Sequence, residues 1–251
     1  MRTFRITALA LLLACALGGA ARSADDAKAI LEKGIKALGG ESKLTKAKGF
    51  SWRSKGTMGN GDNEATFTAK TTVAGLDRLH FESEIDVIGN TVHYALVLDG
   101  DKGWRRFGTK TVPIEKEDLD IEKRLAVLQV VAATLVPLKG KGFQLETAGE
   151  EKVGDADAVG IKVKEPDGKD FKLYFDKTSG LPVKLVVKLA LMDQEFTQET
   201  TYGSFRDFGG VKTATKFEAM RDGEKWLDAE VTDFKLLSQV DPTTFAEPKS
   251  K

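Results

Sequence analysis

Residues 64–85 read EATFTAKTTVAGLDRLHFESEI, and two runs of alternating apolar and polar side chains stand in that stretch. Successive side chains of a β-strand point to opposite faces of the sheet, so alternation with a period of two predicts a strand with one buried and one wet face. The turn Gly75-Leu76-Asp77 lies between the runs. It is too short for a parallel crossover, which needs about a dozen residues or more. The stretch therefore predicts an antiparallel hairpin.

The same pattern continues through most of the chain. Gly- and Asp-rich turns separate further alternating runs at 143–145, 159–163, 171–175, 183–189, 211–217 and 227–231. Counting all runs predicts about ten or eleven strands, and so many one-sided strands favour a sheet that curls into a barrel or half-barrel. No repeat or low-complexity linker interrupts the pattern, which indicates one domain. The predicted class is mainly β with helices (α+β).

Two segments have the period of a helix instead. Residues 25–38 carry an apolar stripe that Gly39-Gly40 end, which predicts an N-terminal helix. Within the segment 117–138, residues 125–136 are apolar except for Gln129 and Thr134, and their length and alanine content favour a helix over a strand. A helix that is apolar all round must be buried, so this second helix is predicted to cover the apolar face of the sheet.

Composition excludes several kinds of protein. The 251 residues contain 38 basic and 38 acidic side chains, so there is no excess of positive charge for binding nucleic acid. A single cysteine excludes an intrachain disulfide. Residues 1–23 have the basic start, apolar run and small residues of a signal peptide, which predicts export and a mature domain of residues 24–251. Cleavage after Ser23 removes three arginines and leaves 35 basic against 38 acidic side chains.

Cys15 allows another interpretation of the N-terminus. The sequence Leu12-Leu13-Ala14-Cys15 is similar to the motif at which bacteria lipidate a cysteine, and lipidation would anchor the protein to a membrane. Leucine at the second place is atypical, however, and Ala16-Leu17 continue the apolar run where a tether would be polar. A cysteine inside a discarded signal is the preferred interpretation.

Four segments carry a resemblance to a known family: KALGGE at 36–41, FKLYFDKTSGLPVK at 171–184, GGVK at 209–212 and DPTTFAEP at 241–248. They resemble the bacterial LolA/LolB-like superfamily, the periplasmic carriers and receptors that sort outer-membrane lipoproteins. The resemblance implies a half-open antiparallel β-barrel whose apolar concave face is closed by helices. It also implies a periplasmic protein that binds acyl chains or other lipidic groups. These motifs are turn and strand signatures, and none of them assigns a ligand-contacting residue.

Motifs of catalysis are missing from the sequence. It contains no His-Glu-x-x-His, no Gly-x-Ser-x-Gly and no P-loop. His80 falls on the polar face of its strand and is predicted to be solvated, while the pattern leaves the direction of His93 open. Asp99 and Asp101 are better explained by a hairpin turn than by a calcium loop, because the twelfth position of such a loop would be Lys110. We therefore predict no catalytic residue, no metal and no cofactor.

The predicted site is the apolar concave face of the sheet. Its lining is predicted to be Phe67, Leu79, Phe81, Tyr94, Leu96, Phe171, Leu173, Phe175, Leu185 and Val187. The movable cover is predicted to present Leu125, Leu128, Val131 and Leu135. The predicted partner is a lipid or a lipoprotein acyl chain bound by a monomer. The alternative is that the same residues form an ordinary core in a ligand-free structural module or a module that binds another envelope protein.

Overall fold

A computed structural model of the protein describes residues 15–59, 64–191 and 194–249. The helices of these residues are α1 (Cys15–Leu38), α2 (Glu41–Lys46) and α3 (Lys116–Thr134). The strands are β1 (Gly49–Met58), β2 (Ala65–Ala74), β3 (Arg78–Val87), β4 (Asn90–Asp99), β5 (Lys102–Phe107), β6 (Lys110–Pro113), β7 (Gln144–Val153), β8 (Ala156–Lys164), β9 (Asp170–Asp176), β10 (Pro182–Leu191), β11 (Gln194–Gly203), β12 (Arg206–Asp207), β13 (Lys212–Thr213), β14 (Lys216–Arg221) and β15 (Glu224–Leu237). Short 3₁₀ turns follow at Val136–Lys139 and Pro242–Phe245.

Thirteen of these strands form one antiparallel sheet. Their order is β6-β5-β4-β3-β2-β1-β15-β14-β11-β10-β9-β8-β7, and β12 pairs with β13 in a separate ribbon. Strands β1 and β15 are the first and last of the fold and pair from Gly49↔Leu237 to Met58↔Leu227. This pair joins the two halves of the sheet. Because β6 and β7 remain as two unjoined edges, the barrel is open, as predicted.

The predicted number of strands was too low. β11 was missed because its sequence, QEFTQETTYG, is mostly polar and does not alternate cleanly. It lies inside the sheet between β10 and β14, where ladder hydrogen bonds on both sides hold it. The single strand predicted over 211–217 is also wrong, because β13 and β14 divide it.

Both helical predictions are confirmed with different bounds. Within the described residues α1 runs from Cys15 to Leu38, so it includes residues before the predicted start at residue 25 and before the predicted cleavage point. α3 ends at Thr134, and Leu135 caps it in the left-handed region (φ 59°) with its N–H bonded to the Val131 carbonyl. Residues 1–14 of the predicted signal peptide lie outside the described residues. Within the described part of the chain, no helix is long and apolar enough to cross a membrane.

The main core lies between the helices and the strands β8–β10. Side chains of α1 and α3 pack there against the concave face of these strands. Its buried members are Ala27, Leu31, Ile35, Leu38, Leu44, Leu128, Val131, Leu135, Leu138, Ile161, Val163, Phe171, Leu173, Phe175, Leu185, Val187, Leu189 and Val211. A second cluster puts α3 against the first half of the sheet, through Leu119, Ala126 and Val130. α3 therefore bridges the two halves of the sheet.

The C-terminal segment covers part of the convex face. Asp241 caps the turn Pro242–Phe245 by accepting a hydrogen bond from the Thr243 N–H. Phe245 is completely buried beside Ala74 and Val97. The segment therefore closes the outside of β2 and β4 while α3 covers the inside.

Candidate ligand-binding face

Half of the predicted lining lies in the main core. Phe171, Leu173, Phe175, Leu185 and Val187 are at most 2% exposed and pack under both long helices. The fit is tight at Gly34 of α1, where an added Cβ would lie 2.7 Å from the Phe175 ring and 2.9 Å from a Leu135 methyl carbon. A larger residue at position 34 would therefore force the Phe175 ring, the Leu135 side chain or α1 itself to shift. These five side chains are therefore shielded from solvent by α1 and α3.

The covering residues share this burial. Leu128, Val131 and Leu135 belong to the same core, and Leu125 packs against it partly buried. Leu135 is not part of the helix but lies just beyond it, as the cap described above. The structure thus brings the predicted cover and half of the predicted lining into one cluster.

The other predicted lining residues lie along a gradient of exposure. Leu79 and Leu96 are buried in the second cluster beneath α3. Phe81 and Tyr94 are only partly buried at the margin of that cluster. Phe67 belongs to a third cluster, farther from α3. α3 therefore covers Leu79 and Leu96, borders Phe81 and Tyr94, and does not reach the cluster of Phe67.

The third cluster contains strand side chains only. Its buried members are Phe67, Ala69 and Ala229, and no apolar side chain of a described helix belongs to it. Around them lie the partly exposed Met58, Phe81, Ile85, Phe217 and Leu227. We call Met58, Phe67, Phe81, Ile85, Phe217 and Leu227 the open apolar face.

The open apolar face continues to more exposed residues. Val92 is directly opposite Ile85 in the ladder and is 42% exposed. Phe107 is opposite Tyr94, their ring centroids are 5.1 Å apart, and Phe107 is 55% exposed. Cross-strand partners point to the same face of a sheet, so these residues extend the apolar surface toward the edge. A contiguous exposed apolar surface is typical of a binding site.

Ile85, Phe217 and Leu227 fall in the predicted strands, but the predicted lining of the site did not include them. The signal that would have found them is the pairing register, which sets Ile85 opposite Phe67 and Phe217 opposite Ala229. Register depends on contacts between strands that are distant in the chain. It was therefore not available from alternation alone.

Ion pairs fasten α3 over the sheet. Arg105 of β5 donates to Asp118 at 2.8 Å and to Glu122 at 2.9 Å, both on the first turns of α3. Tyr94 lies beside this cluster, and burial, followed by the nearby charge of Glu122, raises the pKa of Tyr94 to about 12. The phenol is therefore neutral at ordinary pH, and Arg105 is the charge that balances the two carboxylates.

A second ion pair between α3 and the sheet lies farther along the helix. Arg124 donates from Nε to Glu165 at 2.9 Å, and its terminal nitrogens donate to the carbonyls of Lys188 at 2.9 Å and Asp170 at 3.0 Å. Burial raises the pKa of Glu165, while the hydrogen bond and charge of Arg124 oppose that rise. α3 is thus tied to both halves of the sheet, by Arg105 on one side and by Arg124 on the other.

The two histidines lie outside the concave face. His80 pairs in the ladder with Thr72 and Val97, and Val97 packs under the C-terminal segment on the convex side. His93 is opposite Glu84, with Nδ1 3.7 Å from the carboxylate, and its side chain is 59% exposed. Both imidazoles therefore face away from the apolar surface.

A groove of about 600 Å³ lies on the convex side of the same strands. Its lining is polar, with threonines and carboxylates, and comprises Lys55, Gly56, Thr57, Thr66, Phe67, Thr68, Glu84, Asp86, Thr91, Asp228 and Glu230. Such a lining does not suit an acyl chain, because burying it would desolvate several charged groups. This groove is not the apolar site that the sequence predicts.

An open antiparallel sheet that wraps two long helices on its concave face is the LolA-like fold. A LolA superfamily protein from Nitrosomonas europaea superposes with a TM-score of 0.60 at 14% identity, covering 88% of this chain and 97% of that one. A DUF1329 family protein from Desulfovibrio piger gives a TM-score of 0.55 at 11% identity, covering 88% and 97%. A putative outer membrane lipoprotein-sorting protein domain from Vibrio parahaemolyticus gives 0.52 at 10% identity, covering 86% and 97%.

These likenesses confirm the fold that the sequence motifs implied. No protein-family model and no curated protein sequence matches the chain. Identities of this size show a shared architecture, and function must be argued from the side chains of the site.

Proposed function

We propose that this protein is a periplasmic binding or carrier protein for a lipidic or acylated ligand of the lipoprotein type, without catalytic activity. The observation that carries the proposal is the open apolar face, a cluster of strand side chains to which no apolar side chain of a described helix belongs. The solved structures of the same fold support the proposal, since one of them is named as a lipoprotein-sorting domain.

The energetics suit reversible capture of an acyl chain. Each methylene removed from water contributes about 0.8 kcal/mol, so burying about ten of them contributes about 8 kcal/mol. Association and ordering oppose a large part of this gain. The open face supplies the contacts without any prior movement of α3.

The predicted lining beneath α3 has a separate place in the proposal. Phe171, Leu173, Phe175, Leu185 and Val187 contact a ligand only if α3 moves, because α1 and α3 now cover them. The ion pairs of Arg105 and Arg124 oppose that movement. We propose that the ligand first binds to the open apolar face. The deeper lining residues, and the covering residues Leu125, Leu128, Val131 and Leu135, contact the ligand only after α3 moves.

Leu227→Glu tests the proposal on the open face. A carboxylate there must be desolvated against an acyl chain, so we expect at least a tenfold loss of bound lipid. Native mass spectrometry of the gently purified protein measures co-purifying lipid, and uptake of a fluorescent fatty-acyl probe measures binding. Thr232→Glu is the matched control, because Thr232 is an exposed residue of the same strand.

Two results would decide against a carrier. A wild-type protein that carries no lipid and takes up no acyl probe would overturn the proposal. Capture of a single envelope protein without lipid would favour the protein-interaction module instead. That alternative has one structural feature of its own, since β6 and β7 are edge strands of the sheet and an edge strand can pair with an added strand.

A further inference from the structure

Arg221 is a cation on the concave face of the sheet. It is the last residue of β14 and pairs in the ladder with Gln198 of β11. Gln198 in turn is opposite Val187, whose side chain is buried in the main core. Because paired residues point to the same side, Arg221 and Gln198 project to the concave face.

The guanidinium lies between two aromatic rings. Its Cζ is 3.9 Å from the ring centroid of Trp226 and 4.6 Å from that of Phe196. Its Nε donates to the amide oxygen of Gln198 at 3.3 Å, and Gln198 donates to the Thr200 hydroxyl at 3.4 Å. These contacts hold the plane of the guanidinium and leave its two terminal nitrogens without a partner among the described residues.

Arg221 differs in its charge environment from Arg105 and Arg106 of the sheet and from Arg124 of α3. Arg105, Arg106 and Arg124 each form an ion pair with a carboxylate. The ladder sets Glu224 of β15 opposite Arg221, but no ion pair between Arg221 and a carboxylate is found within residues 15–59, 64–191 and 194–249. Burial lowers the pKa of Arg221. A partly buried cation without a counterion favours an anion from outside the chain.

The position of Arg221 adjoins the open apolar face. Phe217 lies four residues earlier on the same strand and on the same side, which is about 13 Å along a strand. Leu227, which belongs to the open apolar face, is opposite Ala219 in the ladder, and Ala219 lies two residues before Arg221 on the same side of β14. A cationic site therefore stands at one end of an apolar surface, which is the arrangement that an amphiphile with an anionic head requires.

We propose that Arg221 binds the anionic headgroup, a carboxylate or a phosphate, of the ligand whose acyl chain lies on the open apolar face. The inference rests on the proposed function and narrows it to anionic amphiphiles. The free terminal nitrogens of the guanidinium match two oxygens of a carboxylate or phosphate in a bidentate pair, which an ammonium group cannot reproduce.

The test compares three ligands with the same oleoyl chain: oleate, 1-oleoyl lysophosphatidate and the neutral 1-oleoylglycerol. Their dissociation constants are measured by displacement of the fluorescent dye N-phenyl-1-naphthylamine from the whole protein. For Arg221→Gln we expect about a tenfold to hundredfold weaker Kd for an anionic ligand and a change of less than about twofold for oleoylglycerol. Arg221→Lys keeps the positive charge but not the two parallel N–H donors of the guanidinium, so its affinity for the anionic ligands should lie between those of the wild type and Arg221→Gln.

Arg53→Gln is the matched control, since Arg53 is an exposed arginine of β1 and its loss should change no Kd. A loss with oleate alone supports a carboxylate ligand, and a loss with lysophosphatidate alone supports a phosphate ligand. Equal weakening of all three ligands by Arg221→Gln would show that the arginine only packs the aromatic rings and would overturn the inference.

Failure of the inference is distinguishable from failure of the proposed function. If the wild-type protein binds oleoylglycerol as tightly as the anions and Arg221→Gln changes nothing, the anion site is wrong and the carrier proposal stands. If the wild-type protein binds none of the three ligands, both are wrong. Thermal unfolding of each variant confirms that the compared proteins are folded.

Discussion

Arg124 and Glu165 form an ion pair that is largely removed from water. Their side chains are 11% and 7% exposed, and the remaining guanidinium donors are used by two backbone carbonyls. Glu165 lies 41 positions after Arg124 in the sequence. A pair of this separation is created by the packing of α3 on the sheet, so a local pattern cannot reveal it.

Replacing Arg124 with methionine should destabilise the protein by about 3 kcal/mol at pH 7, because the buried Glu165 carboxylate would lose its partner. In the variant the pKa of Glu165 rises further, since Arg124 no longer opposes the effect of burial. The buried Glu165 side chain destabilises the folded variant when it is charged but not when it is protonated. The loss of stability caused by Arg124→Met should therefore shrink as the pH falls below the raised pKa of Glu165. Urea unfolding at pH 7 and pH 5 measures this difference.

Lys123→Met provides the comparison for that experiment. Lys123 pairs with Asp101, whose side chain is fully exposed, so solvent screens the interaction. We expect a much smaller loss of stability with no matching pH dependence. Equal losses in the two variants would show that burial does not strengthen the Arg124 pair.

At the scale of elements, α3 has the apolar composition that predicted its burial. Leu119, Ala126, Leu128, Val130 and Val131 are all buried, and they face two different clusters. A helix that is apolar on several sides can fill the space between two halves of a curled sheet. The composition predicted the covering position correctly, but the division between the two clusters follows from the curvature of the sheet.

Leu128→Ala should lower the free energy of unfolding by about 2–5 kcal/mol, because it leaves a cavity in the main core. Gln129→Ala, at the exposed neighbouring position, should leave stability nearly unchanged. Chemical denaturation of the two variants makes the comparison. If Leu128→Ala cost no more than Gln129→Ala, α3 would be loosely attached, and the burial of the predicted lining beneath it would not describe the protein in solution.

At the scale of the whole molecule, the two ends of the fold meet in the middle of the sheet. β1 and β15 pair over their lengths, so neither half of the sheet is complete without the other. The C-terminal segment then crosses the convex face and buries Phe245. The stability of the first hairpins therefore depends on the last residues of the chain.

Phe245→Ala should destabilise the whole protein by about 3–5 kcal/mol, since the ring is completely buried between Ala74 and Val97. Glu247→Ala, two residues later and exposed, is the control. Thermal unfolding followed by circular dichroism should show one cooperative transition at a lower temperature for Phe245→Ala. A variant that keeps its wild-type midpoint would show that the C-terminal segment is dispensable for the fold.

Alternation of apolar and polar residues, turn residues and two helical segments were enough to predict an open antiparallel sheet with an N-terminal helix and a covering helix, because these signals are local. The same signals failed for β11, which is polar and stable only between its neighbours. They also could not separate Phe171, which is buried beneath α1 and α3, from Phe67, whose cluster contains no side chain of a described helix. Both residues alternate in the same way along the chain. Their difference, and the position of Arg221 beside the open apolar face, arise from strand register and helix placement, which depend on contacts between residues far apart in sequence.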